Sequence, residues 1–308
     1  VGAYKEDEVA GTDSGKAYIY NTSTGALVHT LDNPNAYGTK ASDYFGFSVA
    51  ISGNNAIVSA YVEDDANGTS SGKAYIFNVT TGALLHTLDN PNPYGTSLND
   101  NFGLSVAISD NYAIAGASGE DDANGTSSGK AYIFNVTTGA LLHTLDNPNP
   151  YGTSLNDKFG YNVAITDNYT IVGTYHEDEA GGTNSGKAYI YNTSTGALVH
   201  TLDNPNAYGT SGNDFFSRGV AITNNYAIAG ASGEGDPGGG YSGKAYIFNV
   251  TTGALLHILD NPNAYGSSSS DLLGQSVAIT DNYAVVGVKN EGDAGGTNSG
   301  KVYIYELS

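Results

Sequence analysis

Cysteine, methionine and tryptophan are all absent from this chain of 308 residues, and basic side chains are scarce, 11 against 31 acidic ones. Without cysteine there is no disulfide framework, no thiolate nucleophile and none of the soft ligands favoured by structural zinc and iron–sulfur clusters. A formal net charge of −20 leaves no basic face for phosphate, so nucleic acid is excluded as a partner. No apolar run approaches the roughly 18 residues of a membrane-spanning helix, and there is no signal-peptide pattern, so direct membrane insertion is not expected. The lack of any methionine, with Val1 first, gives the expectation that upstream residues are missing. What the chain does contain is 39% hydrophobic and 11% aromatic residues, too apolar for a disordered segment, together with 42 glycines and 24 tyrosines.

Those glycines and tyrosines belong to a repeat. The string SGKAYIY or a close variant recurs with its glycine at Gly15, Gly72, Gly129, Gly186, Gly243 and Gly300, in steps of 57 residues. Each unit holds four short runs rich in Val, Ile, Tyr, Phe and Thr, which in one copy are Ser48 to Ser52, Ala56 to Tyr61, Lys73 to Asn78 and Ala83 to Leu88. Their length and their bounding Gly, Asn, Asp and Pro residues read as β-strands, and no stretch carries a helical period. Asn54-Asn55 and the N-x-T-T-G string from Asn78 to Gly82 are tight-turn material, so consecutive strands are antiparallel. The other two links are an acidic, Gly-rich loop (residues 63–72) and a loop of the form LDNPNxYGT starting at Leu31, Leu88, Leu145, Leu202 and Leu259.

Four antiparallel strands at a period longer than a solenoid coil predict an all-β fold, a β-propeller of four-stranded blades. Residues 1–308 then form a single domain of about 5.4 repeats. Six blades are expected, with five or seven open: Val1 falls inside a second strand and Tyr305 ends a third, so the first blade lacks its first strand and the last blade its fourth.

Phe45-Gly46, Phe102-Gly103 and Phe159-Gly160 precede SVAI-like strands, and Gly2-Ala3, Gly116-Ala117 and Gly230-Ala231 close the strand that follows. In this the unit resembles the FG-GAP repeat, particularly its bacterial form, over essentially the whole chain. The resemblance implies a propeller on extracellular or cell-surface proteins, used for adhesion and ligand binding more than for catalysis. The fifth unit departs, reading Phe215-Phe216-Ser217-Arg218, and with Pro237 it reads as a drifted copy or a partner contact. The cation loop of integrin-type members does not carry over, because the link between the first two strands is only two or three residues here.

The acidic loop is the candidate metal site. Each copy has a glutamate, an acid two residues later and a glycine three after that: Glu6 and Glu8, Glu63 and Asp65, Glu120 and Asp122, Glu177 and Glu179, Glu234 and Asp236, Glu291 and Asp293. The string EDDANG resembles the first half of an EF-hand loop, so these are candidate calcium loops, although the later bidentate glutamate is missing and a solvated acidic loop is the plainer reading. Lys16 and its equivalents read as charge compensation beside those loops. His29, His86, His143, His200 and His257 each precede an aspartate by three residues, but five identical sites argue for packing over general-base work. Gly68 to Gly72 satisfies G-x-S-x-G without the helix that a nucleophile elbow needs. Asn21, Asn78, Asn135, Asn192 and Asn249 open N-x-S/T sequons at a turn where asparagine is expected on conformational grounds alone.

These readings together predict a non-enzymatic module, extracellular or at the cell surface, that meets a protein or a glycan through repeated loops and assembles with further copies. The alternative is a multivalent lectin using Asp32, Asn35, Tyr37 and their repeat equivalents. Calcium is the one cofactor with a candidate site.

Overall fold

A computed structural model describes residues 1–7, 11–34, 41–65, 68–91, 98–122, 125–148, 155–178, 182–205, 212–235, 240–262, 270–292 and 298–307, and every regular element among them is a strand. The chain divides into two compact units, Val1–Asn147 and Pro148–Ser308. In the first unit, β1 (Gly2–Ala3), β2 (Lys16–Tyr20) and β3 (Leu27–Asp32) make a three-stranded sheet. Two four-stranded sheets follow: β4 (Val49–Ser52), β5 (Asn55–Ala60), β6 (Lys73–Asn78) and β7 (Leu84–Asp89), then β8 (Phe102–Ile108), β9 (Tyr112–Ala117), β10 (Lys130–Asn135) and β11 (Leu141–Asp146).

The second unit opens with β12 (Asn162–Ile165), β13 (Tyr169–Thr174), β14 (Lys187–Asn192) and β15 (Leu198–Asp203). Its second sheet holds β16 (Phe216–Ile222), β17 (Tyr226–Ala231), β18 (Lys244–Asn249) and β19 (Leu255–Asp260), and its last is three-stranded, β20 (Leu273–Ile279), β21 (Tyr283–Val288) and β22 (Lys301–Glu306). Every pairing is antiparallel between strands consecutive in the chain. Among the described residues the first sheet has no counterpart of β4 and the last none of β7, as the phase of the repeat predicts.

Successive residues of a central strand bury on opposite faces, which is why the strands do not alternate apolar with polar. In β5, Ile57 packs with Phe102, Val106 and Tyr132 of the following sheet, whereas its neighbour Val58 packs with Ala17, Ile19 and Leu31 of the preceding one. Within the second unit Ile228 and Ala229 divide in the same way. Each of the Val, Ile, Leu and Phe side chains among these contributes about 1.5–3 kcal/mol by burial.

The Phe-Gly pair locks sheet to sheet. Phe45 is fully buried, and Gly46 has a left-handed φ of 89° and gives its N–H to the Ser59 carbonyl at 2.8 Å. A Cβ on Gly46 would stand 2.3 Å from the Lys16 carbonyl oxygen of the preceding sheet, so only glycine permits the approach. Where the fifth copy replaces this glycine, Ser217 keeps a left-handed φ of 70° and its Oγ accepts the Thr174 N–H at 2.9 Å.

The turn between third and fourth strands is closed by its asparagine. Asn78 Oδ1 accepts the N–H groups of Thr80 at 3.0 Å and Thr81 at 2.9 Å, and Gly82 returns its N–H to the Asn78 carbonyl at 2.8 Å. Asparagine at the sequon position is thereby explained by turn geometry.

Candidate functional site: a fixed frame and a varied rim

The glutamate that opens the acidic loop turns inward in five of the six copies. Glu63, Glu120, Glu177, Glu234 and Glu291 are fully buried. Each accepts the hydroxyl of the third-strand tyrosine 12 residues on; Tyr75 reaches Glu63 Oε2 at 2.7 Å, Tyr132 reaches Glu120 Oε2 at 2.6 Å and Tyr189 reaches Glu177 Oε2 at 2.7 Å. The same contact joins Tyr18 to Glu6, Tyr246 to Glu234 and Tyr303 to Glu291. The loop then closes on the Glu63 carbonyl, which accepts the Gly72 N–H at 2.9 Å and the Ser71 hydroxyl at 3.3 Å.

Burial dominates the electrostatics of this pair. It pushes the carboxyls of Glu63, Glu120 and Glu177 up to about 8, against the hydrogen bond from each tyrosine, which acts the other way. The hydroxyls of Tyr75, Tyr132 and Tyr189 are raised well above the usual phenol range by burial first and by the adjacent glutamate second. A carboxyl that keeps its proton into the neutral range, with a neutral phenol against it, is an internal polar strut.

In the two copies where it is described, the second acid has a different task. Asp65 Oδ1 takes the Gly68 N–H at 2.9 Å, and Asp64 Oδ1 takes the Ser70 N–H at 2.9 Å. Asp122 and Asp121 do the same in the next copy. Within the described residues the two acids of a candidate calcium loop therefore do not converge on one point, and no group of three or more His, Asp or Glu side chains there is arranged to hold a metal. Glu8, Glu179, Asp236 and Asp293 lie outside the described residues.

The lysines pair with the end of the fourth strand. Lys16, Lys73, Lys130, Lys187 and Lys244 donate to Asp32, Asp89, Asp146, Asp203 and Asp260, their cross-strand neighbours. In the last sheet, which has no fourth strand among the described residues, Lys301 turns to Glu291 at 2.7 Å. Asp32, a candidate saccharide ligand, is thus engaged, while Asn35 and Tyr37 lie outside the described residues.

The histidines link sheets. His29 Nε2 donates to the Thr80 carbonyl at 3.0 Å, His86 to Thr137 at 3.1 Å and His200 to Thr251 at 3.0 Å. Each of these rings lies over the turn glycine of the following sheet, Gly82, Gly139 or Gly253. These three histidines are inter-sheet ties, and the aspartate three residues on belongs to the lysine.

A second set of side chains includes Phe215 and Arg218, which the sequence marks as a drifted copy or a partner contact, and extends to residues the sequence does not single out. Where the first strand begins and the second ends, the first unit gathers Tyr4, Tyr44, Phe47 and Tyr61, with ring centroids 5.3 Å apart for Tyr4 and Phe47 and 4.5 Å for Phe47 and Tyr61. At equivalent positions the second unit gathers Tyr161, Tyr175, His176, Phe215 and Arg218. Tyr175 lies 4.3 Å from Tyr161 and 4.0 Å from His176. The Arg218 guanidinium lies 5.8 Å from the ring centroids of both Tyr175 and Phe215. Aligning the copies for what differs, where the sequence reading aligned them for what recurs, is the signal that finds this group.

Six antiparallel sheets copied at one period, each pinned by the same Glu–Tyr pair, define an all-β repeat protein. A family model for the FG-GAP repeat matches residues 35–77, 93–134, 150–191, 206–248 and 264–305. The chain belongs to the FG-GAP repeat family. No curated protein matches it.

Proposed function

We propose that the chain is a non-enzymatic interaction and adhesion module, extracellular or at the cell surface, whose six sheets are the blades of a β-propeller. One observation carries the reading: the titratable groups that recur in the repeat are occupied in holding the frame. Glutamate meets tyrosine, lysine meets aspartate, and histidine meets a backbone carbonyl. A catalyst needs acids, bases or nucleophiles turned toward a substrate, and here the recurring ones are turned toward each other. The frame leaves a surface for a protein or glycan partner, and many weak contacts on one rigid support gain avidity.

The test is to probe an array of glycans and extracellular matrix proteins with the tagged chain. Saturable retention of a ligand that is recovered chemically unchanged is expected. Retention of nothing above background, or conversion of the ligand to product, would overturn the reading. The lectin alternative gains support from the half-buried rings where the first strand begins and the second ends.

A further inference from the structure

We infer that the cluster of Tyr161, Tyr175, His176, Phe215 and Arg218, with Lys158 beside it, is a binding site for a carboxylate-bearing saccharide, a uronate unit of a sugar chain. The inference rests on the reading of the chain as a binding module and names the site and ligand class within it.

The first ground is where the copies differ. Glu63 to Asp100 recurs letter for letter as Glu120 to Asp157, so these copies have diverged little. Against that background the residue before the Phe-Gly pair reads Tyr44, Asn101, Lys158, Phe215 and Leu272, and the residue after it reads Phe47, Leu104, Tyr161, Arg218 and Gln275. The two residues that follow the second strand vary as widely, for example Ser118-Gly119 against Tyr175-His176. Four positions with changing chemistry on an otherwise constant frame meet at one rim.

The second ground is charge. Six of the 11 basic residues are the lysines of the third strand, and of the other five, Lys5, Lys158, Arg218 and Lys289 fall at these four positions. Five of the six histidines repeat on the fourth strand, and the sixth is His176. In a chain of net charge −20, four of the five cations outside the third-strand lysines thus stand at these positions. No salt bridge ties Arg218 to a carboxylate among the described residues; its guanidinium meets rings.

The third ground is strain. The position before the Phe-Gly pair is left-handed in every copy, with φ of 57° at Tyr44, 57° at Asn101, 64° at Lys158, 54° at Phe215 and 62° at Leu272. Asparagine is comfortable there, but a bulky L-residue is disfavoured by about 1–2 kcal/mol. Four of the five copies hold such a residue, which sets a side chain at the rim against local preference.

The cluster's chemistry selects the ligand. Tyr161, Tyr175 and Phe215 are half-buried and form a tilted aromatic wall, suited to the apolar face of a pyranose. Arg218 offers a planar fork that matches a carboxylate. Burial, with Lys158 and Arg218 adding to it, lowers the His176 pKa; the neutral ring gives its one N–H to the Asn156 backbone and keeps its other nitrogen to accept from a sugar hydroxyl. An acidic peptide would satisfy the cations and leave the wall without a flat partner.

The test is titration calorimetry of the whole chain at about 0.15 M salt, where the Debye length of about 8 Å confines the effect of distant acids. The probes are a galacturonate trimer, its methyl ester, which has the same rings without the charge, and a poly-glutamate peptide. The variants are Arg218→Leu and Tyr175→Ser, residues that other copies already hold at these positions, so the frame accommodates them; unchanged melting confirms this. Arg218→Leu is expected to weaken the trimer about tenfold or more and to leave the ester unchanged, whereas Tyr175→Ser weakens both. The proposal is overturned if the wild-type chain does not bind the trimer, if neither substitution weakens it, or if poly-glutamate binds more tightly. A chain that retains some other array ligand but no uronate sinks this proposal alone; one that retains nothing sinks the binding reading as well.

Discussion

Stability should fall as the solution is made more alkaline across the neutral range, and replacing one buried glutamate should flatten the fall. In the folded chain burial raises the carboxyls of Glu63, Glu120 and Glu177 to about 8, from an ordinary value of 4.5. The folded state then holds protons between those limits that the unfolded state has released. Stability from each group is present in full below the unfolded value and is lost as pH rises through the folded one. Each carboxyl contributes a slope of about 1.4 kcal/mol per pH unit inside the window. Asp100, raised by burial to about 7, adds a slope of the same sign. The perturbation is Glu120→Gln, which keeps an acceptor for the Tyr132 hydroxyl and cannot ionise. The assay is urea unfolding at half-unit steps from pH 5 to 9, comparing the substituted chain with the parent. The difference in slope should be about 1.4 kcal/mol per pH unit, with the parent the steeper. Parallel profiles for the two chains, or a parent whose stability rises over this range, would refute the argument that Glu120 is buried with its proton.

Other consequences follow from the same contacts. Tyr132→Phe takes the only phenol donor from a buried carboxyl and should lower stability by about 1–3 kcal/mol by chemical denaturation. Gly139→Ala puts a methyl 2.7 Å from His86 Nδ1 at a φ of 69°, for an expected loss of about 2 kcal/mol. In the double variant with His86→Ala part of that loss should disappear, a non-additivity that a mutant cycle measures. Because Glu63 and its equivalents are held by tyrosine, the melting temperature should change by less than about 1 °C between millimolar calcium and chelator; a rise of several degrees with calcium would reveal a cation site through ligand linkage.

The frame was largely legible because the repeat multiplies its own evidence. Strands read as Ser48 to Ser52 and Ala56 to Tyr61 stand in the structure as Val49–Ser52 and Asn55–Ala60, since turn residues and β-branched runs recur in register five or six times. Side-chain partners were less legible, for a physical reason. A glutamate inside the acidic string from Glu63 to Asp65 looks solvated until the third strand places Tyr75 over it, 12 residues away. Lys73 sits beside the acidic loop in sequence, yet sheet register puts it opposite Asp89, 16 residues on. The His–Asp spacing on the fourth strand suggested a couple; successive sheets instead pull the histidine toward a carbonyl and the aspartate toward lysine. Of the rim, Phe215 and Arg218 stood out as departures of the fifth copy, while Tyr161, Tyr175 and His176 were hidden, because a repeat is recognised by its constant positions and these occupy changing ones.

The central claim is that constant positions hold the fold and varying positions are free of that duty. The direct measurement is a protease-resistance scan of single substitutions across residues 98–235, scored for folded stability alone. Exchanging rim residues for those of another copy, such as Tyr161→Leu, Tyr175→Ser or Arg218→Leu, should stay within about 0.5 kcal/mol of the parent. Substituting Glu120, Tyr132, Phe102 or their equivalents with alanine should cost about 2–5 kcal/mol. Rim exchanges as damaging as those in the frame would contradict the account.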